Sequence, residues 1–163
     1  MELLQASPIQ STIVRANGFF AGYLELLDLV ASPGPGTLIG KGDAKDNPIH
    51  EADLAVACLD ALDRGEREAD VGGPQTFTRR EQLELAYEIS GRRPRIVKLP
   101  AGVARASATL LLPIDARRAQ VIRFLTAICL IDMVGPAFGQ RRLGDYLKAA
   151  VADADHAHTT RLP

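Results

Sequence analysis

At 163 residues, 47% of them hydrophobic, the chain is long enough for one domain and apolar enough to bury a substantial core, which argues against a largely disordered protein. Its 19 Lys+Arg against 20 Asp+Glu give a formal net charge of -1, so the overall balance offers no general attraction for nucleic acid or an anionic membrane. The most apolar later segment, Val121 to Val134, is interrupted by Arg123 and Asp132 and is shorter than the roughly 20 residues that span a bilayer, so no transmembrane segment is expected.

Met1 to Ala6 reads as the last turns of a helix that ends near Ser7-Pro8, where proline stops the hydrogen-bond ladder. Met1 to Gln5 has neither a basic leader nor a long apolar run, so no signal peptide is expected. Ser11 to Arg15 is a β-branched run suited to a buried strand, and Asn17-Gly18 is a turn. Phe19, Phe20, Tyr23, Leu24, Leu27 and Val30 then recur at helical spacing until Ser32-Pro33-Gly34-Pro35-Gly36 breaks the pattern. Gly34, Gly36 and Gly40 invite a phosphate-loop reading, but their spacing is not G-x-G-x-x-G and no Ser or Thr follows Lys41. A turn and a short strand at Thr37 to Ile39 account for them better.

Asn47 to Ala55 is a junction: Pro48 disfavours helix at Asn47, whereas the residues after His50 are amphipathic and helical. Leu54, Ala55, Cys58, Leu59 and Leu62 are expected to face the core, with Asp53, Asp60 and Asp63 mostly away from it. Glu68 to Val71 is extended and closes at Gly72-Gly73-Pro74. Thr78 with Glu81 forms a capping box, predicting a helix from Arg79 that carries Leu83, Leu85, Ala86 and Ile89 inward and stops at Ser90-Gly91. Arg95 to Leu99 alternates as a strand. From Ala101 the pattern is helical, broken at Pro113, Gly135-Pro136 and Gly139, with a final helix over Leu143 to about Val151 and a polar tail expected to fray.

Several side chains invite chemistry. His50 is able to act as acid, base or hydrogen-bond donor, or simply to bond the backbone beside a helix start, where Glu51 and Asp53 put negative charge near the positive helix end. Asp53 reads as a residue that fastens the junction. Arg79, Arg80, Arg92, Arg93 and Arg95 form a basic cluster suited to a carboxylate or phosphate, or equally to solvated helix ends. Phe124 to Ile131 reads as a buried helix or a contact with a further domain or subunit, with a membrane-surface role the lesser alternative. Cys58 and Cys129 lack Cys or His at ligand spacing and are expected as buried free thiols, which suits a reducing cytoplasm. His156 and His158 have no third ligand nearby, so no metal site is expected.

Three motifs occur in a telling order: Thr12 to Phe20, then Asn47-Pro48-Ile49-His50 with Asp53-Leu54-Ala55, then Val71-Gly72-Gly73-Pro74 with Thr78. Together they resemble the carboxy-terminal half of atypical short-chain dehydrogenase/reductase proteins, the NmrA-like and NAD(P)H-binding epimerase-like group. The resemblance implies an α/β fold in which residues 1–100 are the carboxy-terminal part of a Rossmann-like, mainly parallel sheet. Residues 101–152 would then be a helical appendage and residues 153–163 a flexible tail. Ala16 departs from the group, which usually has proline there.

In such proteins the loop after the first of these strands approaches the nicotinamide and substrate. The resemblance therefore implies Asn17, Gly18 and Phe19 on the cofactor side and Tyr23 and His50 on the substrate side, with NAD(P)H as cofactor and a small molecule as substrate. The glycine fingerprint for a dinucleotide is missing, and no tyrosine has lysine four residues on: Leu27, Gly91 and Ala150 follow Tyr23, Tyr87 and Tyr146 at that distance. No catalytic residue is therefore expected in this chain. The expectation is the substrate-side portion of a cytoplasmic NAD(P)H-dependent reductase, truncated and inactive alone, in need of a partner chain or a homodimer to cover its open sheet. The alternative is a non-catalytic dinucleotide-sensing, scaffold or regulatory protein.

Overall fold

The computed structural model describes residues 11–159, with side chains through residue 154. The β-branched run near the start forms β1 (Ile13–Ala16), and a 3-10 turn (Phe20–Tyr23) leads into α1 (Leu24–Ala31). Then come β2 (Gly36–Ile39), β3 (Lys45–Asp46), α2 (Glu51–Asp63), β4 (Glu68–Val71) and β5 (Phe77–Thr78). The chain continues through α3 (Arg79–Ile89), β6 (Ile96–Leu99), α4 (Ala101–Leu111), α5 (Ala116–Ile128) and α6 (Leu143–Thr159). The expected helix end at Met1 to Ala6 lies outside the described residues, as do the side chains of His156 and His158.

β1 pairs in parallel with β4, Ile13 opposite Glu68 and Ala16 opposite Val71, and β2 pairs in parallel with β6, Gly36 opposite Ile96. The short β3–β5 pair is antiparallel. Helices connect the parallel strands, as such crossovers require. The result is the expected α/β arrangement, part of a Rossmann-like fold. The β2–β6 pair is tied to α3 by Tyr87, whose hydroxyl accepts from the Gly36 backbone N–H (2.9 Å) and donates to the Arg95 carbonyl (3.0 Å). The capping box at α3 is present: Thr78 Oγ1 accepts from the Glu81 N–H (3.1 Å), and Glu81 Oε2 accepts from the Thr78 N–H (2.7 Å). Gly91 ends that helix with φ of 62°, a conformation that favours glycine.

Packing departs from expectation in two helices. In α2 the buried positions are Asp53, Ala57 and Ala61, while Leu59 is 62% exposed. The helix is turned by one position, about 100°, from the face its leucines suggest. Asp53 causes this by bonding inward to residues 140 and 141, and the two alanines let the helix sit close to β1 and β4. The final helix runs to Thr159 rather than stopping near Val151, and its Leu143 and Leu147 pack on Phe20 and Tyr23 in the main core.

α4 and α5 pack chiefly on one another through Ala104, Ala108, Ala119 and Thr126. After this hairpin the chain returns to the sheet, where Met133 bridges Asp46 and Ala137 bridges Gly72. Among the described residues no helix is long and apolar enough to cross a membrane.

Candidate functional site

The carboxyl edge of β1 is where open parallel sheets take their ligands. There the turn after β1 is zipped to the junction before α2. Gly18 accepts from the Ile49 N–H (2.8 Å), and the Phe20 N–H donates to the Ile49 carbonyl (3.2 Å). Asn47 is the hub. It is 2% exposed, and its Nδ2 donates to the carbonyls of Gly73 (3.1 Å) and Gly135 (2.9 Å) while its Oδ1 accepts from the Gly135 N–H (3.0 Å) and from the Asn17 side-chain amide. Its backbone also joins in, the Asn47 carbonyl accepting from the Gly73 N–H (2.8 Å). A Cβ on Gly73 would lie 1.7 Å from the Pro48 carbonyl oxygen, so the glycines of this motif are there to let the segments approach.

His50 caps α2, its Nδ1 accepting from the Ala52 N–H (3.0 Å). That bond assigns the proton of the neutral ring to Nε2. The rings of Phe20 and Tyr146 meet the imidazole edge-on, each with centroids 5.5 Å away, and fix its plane. An open cleft of about 300 Å³ lies beside it, lined by His50, Gln140, Arg141, Arg142, Asp145 and Tyr146. Asp53 closes the floor of this corner by accepting from the backbone N–H groups of Gln140 and Arg141 (both 3.1 Å) and from the Arg141 guanidinium. Burial alone would push its carboxyl up. The hydrogen bonds from Arg141 and Gln140 outweigh that and hold it below the ordinary carboxylate value.

Behind the edge is a buried polar group. Tyr23 donates its hydroxyl to Asp46 Oδ2, Arg79 Nη1 donates to the same oxygen at 2.8 Å, and Gln82 Nε2 donates to the Tyr23 hydroxyl at 3.2 Å. Arg79 Nη2 also reaches the Ile128 carbonyl (2.9 Å), joining the end of the α4–α5 hairpin to the core. Burial, and then the Asp46 charge, raise the Tyr23 hydroxyl well above its ordinary value.

Of the residues singled out in the sequence, Asn17, Gly18, Phe19 and His50 come together at the β1 edge. Phe19 is 45% exposed there and bridges Ile49. The Asn17 amide is engaged by Asn47, and Gly18 makes room for Tyr23, whose hydroxyl would lie 2.9 Å from a Cβ at that position. Tyr23 is buried and does not line the His50 cleft. The arginine cluster is dispersed: Arg79, largely but not fully covered, pairs with the buried Asp46, Arg80 pairs with Glu84, and Arg92 bonds the carbonyls of Val30 and Ala31. The role of Asp46 and Arg79 escaped the sequence reading. One signal was available, because an arginine at the first position of a helix opposes the positive helix end and needs an anion near it. Cys58 and Cys129 are free thiols, half-buried rather than buried, and burial pushes the Cys129 thiol up. Among the described residues no group of three His, Cys, Asp or Glu comes together in a form that would hold a metal ion.

No family model matches the chain. It is 40% identical over 75 residues to the Arabidopsis thaliana protein "NADH dehydrogenase [ubiquinone] 1 alpha subcomplex subunit 9, mitochondrial", a match covering 44% of this chain and 19% of that protein. It is 30% identical over 100 residues to the chloroplastic divinyl chlorophyllide a 8-vinyl-reductase of Zea mays, covering 58% of this chain and 25% of the reductase. The UDP-glucuronic acid 4-epimerase of Bacillus cereus, solved in complex with NAD, superposes with a TM-score of 0.54 over 89% of this chain and 44% of the epimerase, at 15% identity. The chain thus spans about a fifth to a quarter of the length of the curated relatives it matches. Over that part it is similar to atypical short-chain dehydrogenase/reductase and epimerase-like proteins, as its three ordered motifs imply; one of these relatives is named as an NADH dehydrogenase subunit, and the epimerase holds NAD.

Proposed function

We propose that residues 11–159 form the substrate-side part of an NAD(P)H-dependent atypical short-chain reductase, and that they perform no hydride transfer by themselves. The observation that carries this reading is the meeting of Phe19 and the Ile49-His50 junction at the carboxyl edge of β1, beside an open cleft. Phe19 offers an exposed ring face to a nicotinamide, and the Nε2–H of His50, held by the Ala52 bond, offers a hydrogen bond to a substrate oxygen. The residues fit only that end of a dinucleotide. Among those described, no strand-to-helix turn carries the glycine spacing that cradles a pyrophosphate, and no Tyr-x-x-x-Lys pair is present to move a proton. NAD(P)H, when bound, would supply the hydride, and the part of these residues is to orient the ring and exclude water at its edge.

Calorimetric titration of this chain with NADH and NADPH tests the reading together with an NMR titration using nicotinamide mononucleotide. The expected result is no micromolar dinucleotide binding, with shifts confined to Phe19, Gly18 and His50 at millimolar mononucleotide. Micromolar binding by the chain alone, or shifts elsewhere, overturns it. A non-catalytic dinucleotide-sensing or scaffold role is the second reading. It is favoured by the exposed apolar residues of the α4–α5 hairpin, which suit contact with a partner chain.

A further inference from the structure

One hydrogen bond in the His50 corner is compatible with only one charge state of the ring. His50 is the N-cap of α2, and its Nδ1 accepts from the Ala52 N–H at 3.0 Å. A ring nitrogen that accepts must be bare, whereas both nitrogens of an imidazolium are donors. A proton added to His50 therefore sets two N–H groups against each other at the first turn of α2, and the cap is lost. The proton has a way in, because the side chain is 24% exposed and lines the open cleft. Imidazole is also the side chain that ordinarily changes its charge between about pH 5 and 8.

A second partner stands beside the same nitrogen. Glu51 Oε2 lies 3.9 Å from Nδ1, while Glu51 Oε1 accepts from the Ala21 N–H at 3.2 Å, in the 3-10 turn that follows Phe19. Phe20 and Tyr146 hold the plane of the imidazole, so the ring has little room to swing. Glu51, 45% exposed at the start of α2, is the member of the pair that is free to move. Among the described residues it is the one carboxylate in ion-pair reach of His50. Of the other charged groups around the ring, Arg141 and Arg142 oppose a further positive charge in the cleft and Asp145 favours it. Arg141 is already matched by Asp53, and beyond Phe20 the Tyr23 hydroxyl is engaged by Asp46.

From this juxtaposition we infer that His50 is a pH-sensitive switch between two partners, the Ala52 N–H and the Glu51 carboxylate. In the neutral state Nδ1 caps α2, and Glu51 holds the turn after β1 through Ala21. In the protonated state the proton taken from water sits on Nδ1 and is donated to Glu51. The Ala52 N–H is released to solvent, and the Ala21 N–H loses its carboxylate. Nε2 keeps its hydrogen in both states, so the cleft retains the same donor and gains a positive charge. One proton thereby loosens the start of α2 and the turn beside Phe19 together. The switch involves neither dinucleotide nor substrate and stands apart from the cofactor reading.

An NMR titration of the isotope-labelled chain from about pH 8 down to about pH 5 tests it. At the upper end the ring nitrogens should show Nδ1 bare and the hydrogen on Nε2. As the ring takes up its proton, the Ala52 and Ala21 amide resonances should move with the same midpoint, and exchange protection of the Ala52 N–H should fall about fivefold. His50→Asn supplies a cap acceptor that does not titrate, so both amides should stay in place over the whole range. Any movement that came from Glu51 or Asp145 titrating by themselves would persist in that variant. Glu51→Gln should leave the Ala52 response intact and remove that of Ala21. Urea melts at both ends of the range confirm that each variant is folded. A hydrogen on Nδ1 at the upper end, a ring that titrates while the Ala52 amide stays still, or an Ala21 response that survives either substitution overturns the inference.

Discussion

Asp53 and Arg141, 88 residues apart in sequence, meet as carboxylate and guanidinium, and the same carboxylate accepts the backbone N–H groups of Gln140 and Arg141. The pair ties the first turn of α2 to the loop before α6, and Gly139 makes this possible. With φ of 81°, a Cβ there would lie 2.2 Å from Asp53 Oδ2. The start of one helix and the approach to another are thereby fixed on either side of the His50 cleft.

Asp53→Asn is expected to cost roughly 1–3 kcal/mol at neutral pH, because the amide keeps one acceptor but loses the charge that Arg141 and the two N–H groups address. The pH dependence separates this from a generic packing loss. The native carboxyl is held below its ordinary value of 3.8, so the unfolded state binds the proton more tightly. The Asp53 contribution is therefore complete above about pH 5 and is lost as the pH falls through the folded value, which lies lower still. Urea midpoints measured down that range should fall more steeply for the parent protein than for Asp53→Asn. Parallel curves would show that Asp53 does not carry this linkage.

Asn47→Ala removes the side chain that joins the turn after β1, the Gly73 carbonyl and the Gly135 backbone, and a loss of about 2–4 kcal/mol is expected. Asn47→Asp is the sharper test. It retains the acceptor for Gly135 N–H and Asn17, but sets a buried charge where an amide donated to two carbonyls. It should be at least as destabilised as the alanine variant at pH 7 and should recover part of the loss as the new carboxyl is protonated. Denaturant melts of both variants at two pH values check this. Equal stability of Asn47→Asp and the parent would mean the amide donor is dispensable.

Asn47 also shows how far sequence alone reaches. The junction, the capping box at Thr78 and Glu81, and the strands at β1 and β6 depend on neighbours within a few residues, so proline, glycine and periodicity expose them. The roles of Asn47, Asp46 and Arg79 depend on groups 23 to 88 residues away. No local pattern marks a polar residue that will be buried by distant carbonyls. The turned face of α2 is the same lesson: a leucine stripe argues for burial, yet the Asp53 bonds to residues 140 and 141 decide which side faces in.

The glycines divide into two kinds with opposite expected responses. Gly73→Ala would set a Cβ 1.7 Å from the Pro48 carbonyl oxygen and 2.7 Å from its carbon, backbone atoms that cannot rotate away. It should cost more than about 3 kcal/mol or prevent folding. Gly102, in the first turn of α4, has nothing within 4 Å of the equivalent position, so Gly102→Ala should stabilise by about 0.5–1 kcal/mol through the lower freedom of the unfolded chain. Thermal melts of the two variants check both signs, and a neutral Gly73→Ala would contradict the close approach of the Gly72-Gly73 segment to the junction.

Tyr23→Phe probes the buried polar group behind the edge. The substitution keeps the ring that packs on Phe20, Leu143 and Leu147 but removes the hydroxyl that donates to Asp46 and accepts from Gln82, for an expected loss of roughly 1–3 kcal/mol at pH 7. Burial and the Asp46 charge raise the native hydroxyl above its ordinary value of 10.0, so the folded state holds this proton more tightly than the unfolded chain. That contribution is fully present below pH 10 and declines as the pH rises toward the folded value. Parent stability should therefore fall above about pH 10, and Tyr23→Phe, lacking the titrating group, should fall less over the same interval. Urea melts taken from neutral to alkaline pH measure the difference, which should narrow as the pH rises. A constant gap between the two proteins would remove the Tyr23 proton from the account and leave only the lost hydrogen bonds.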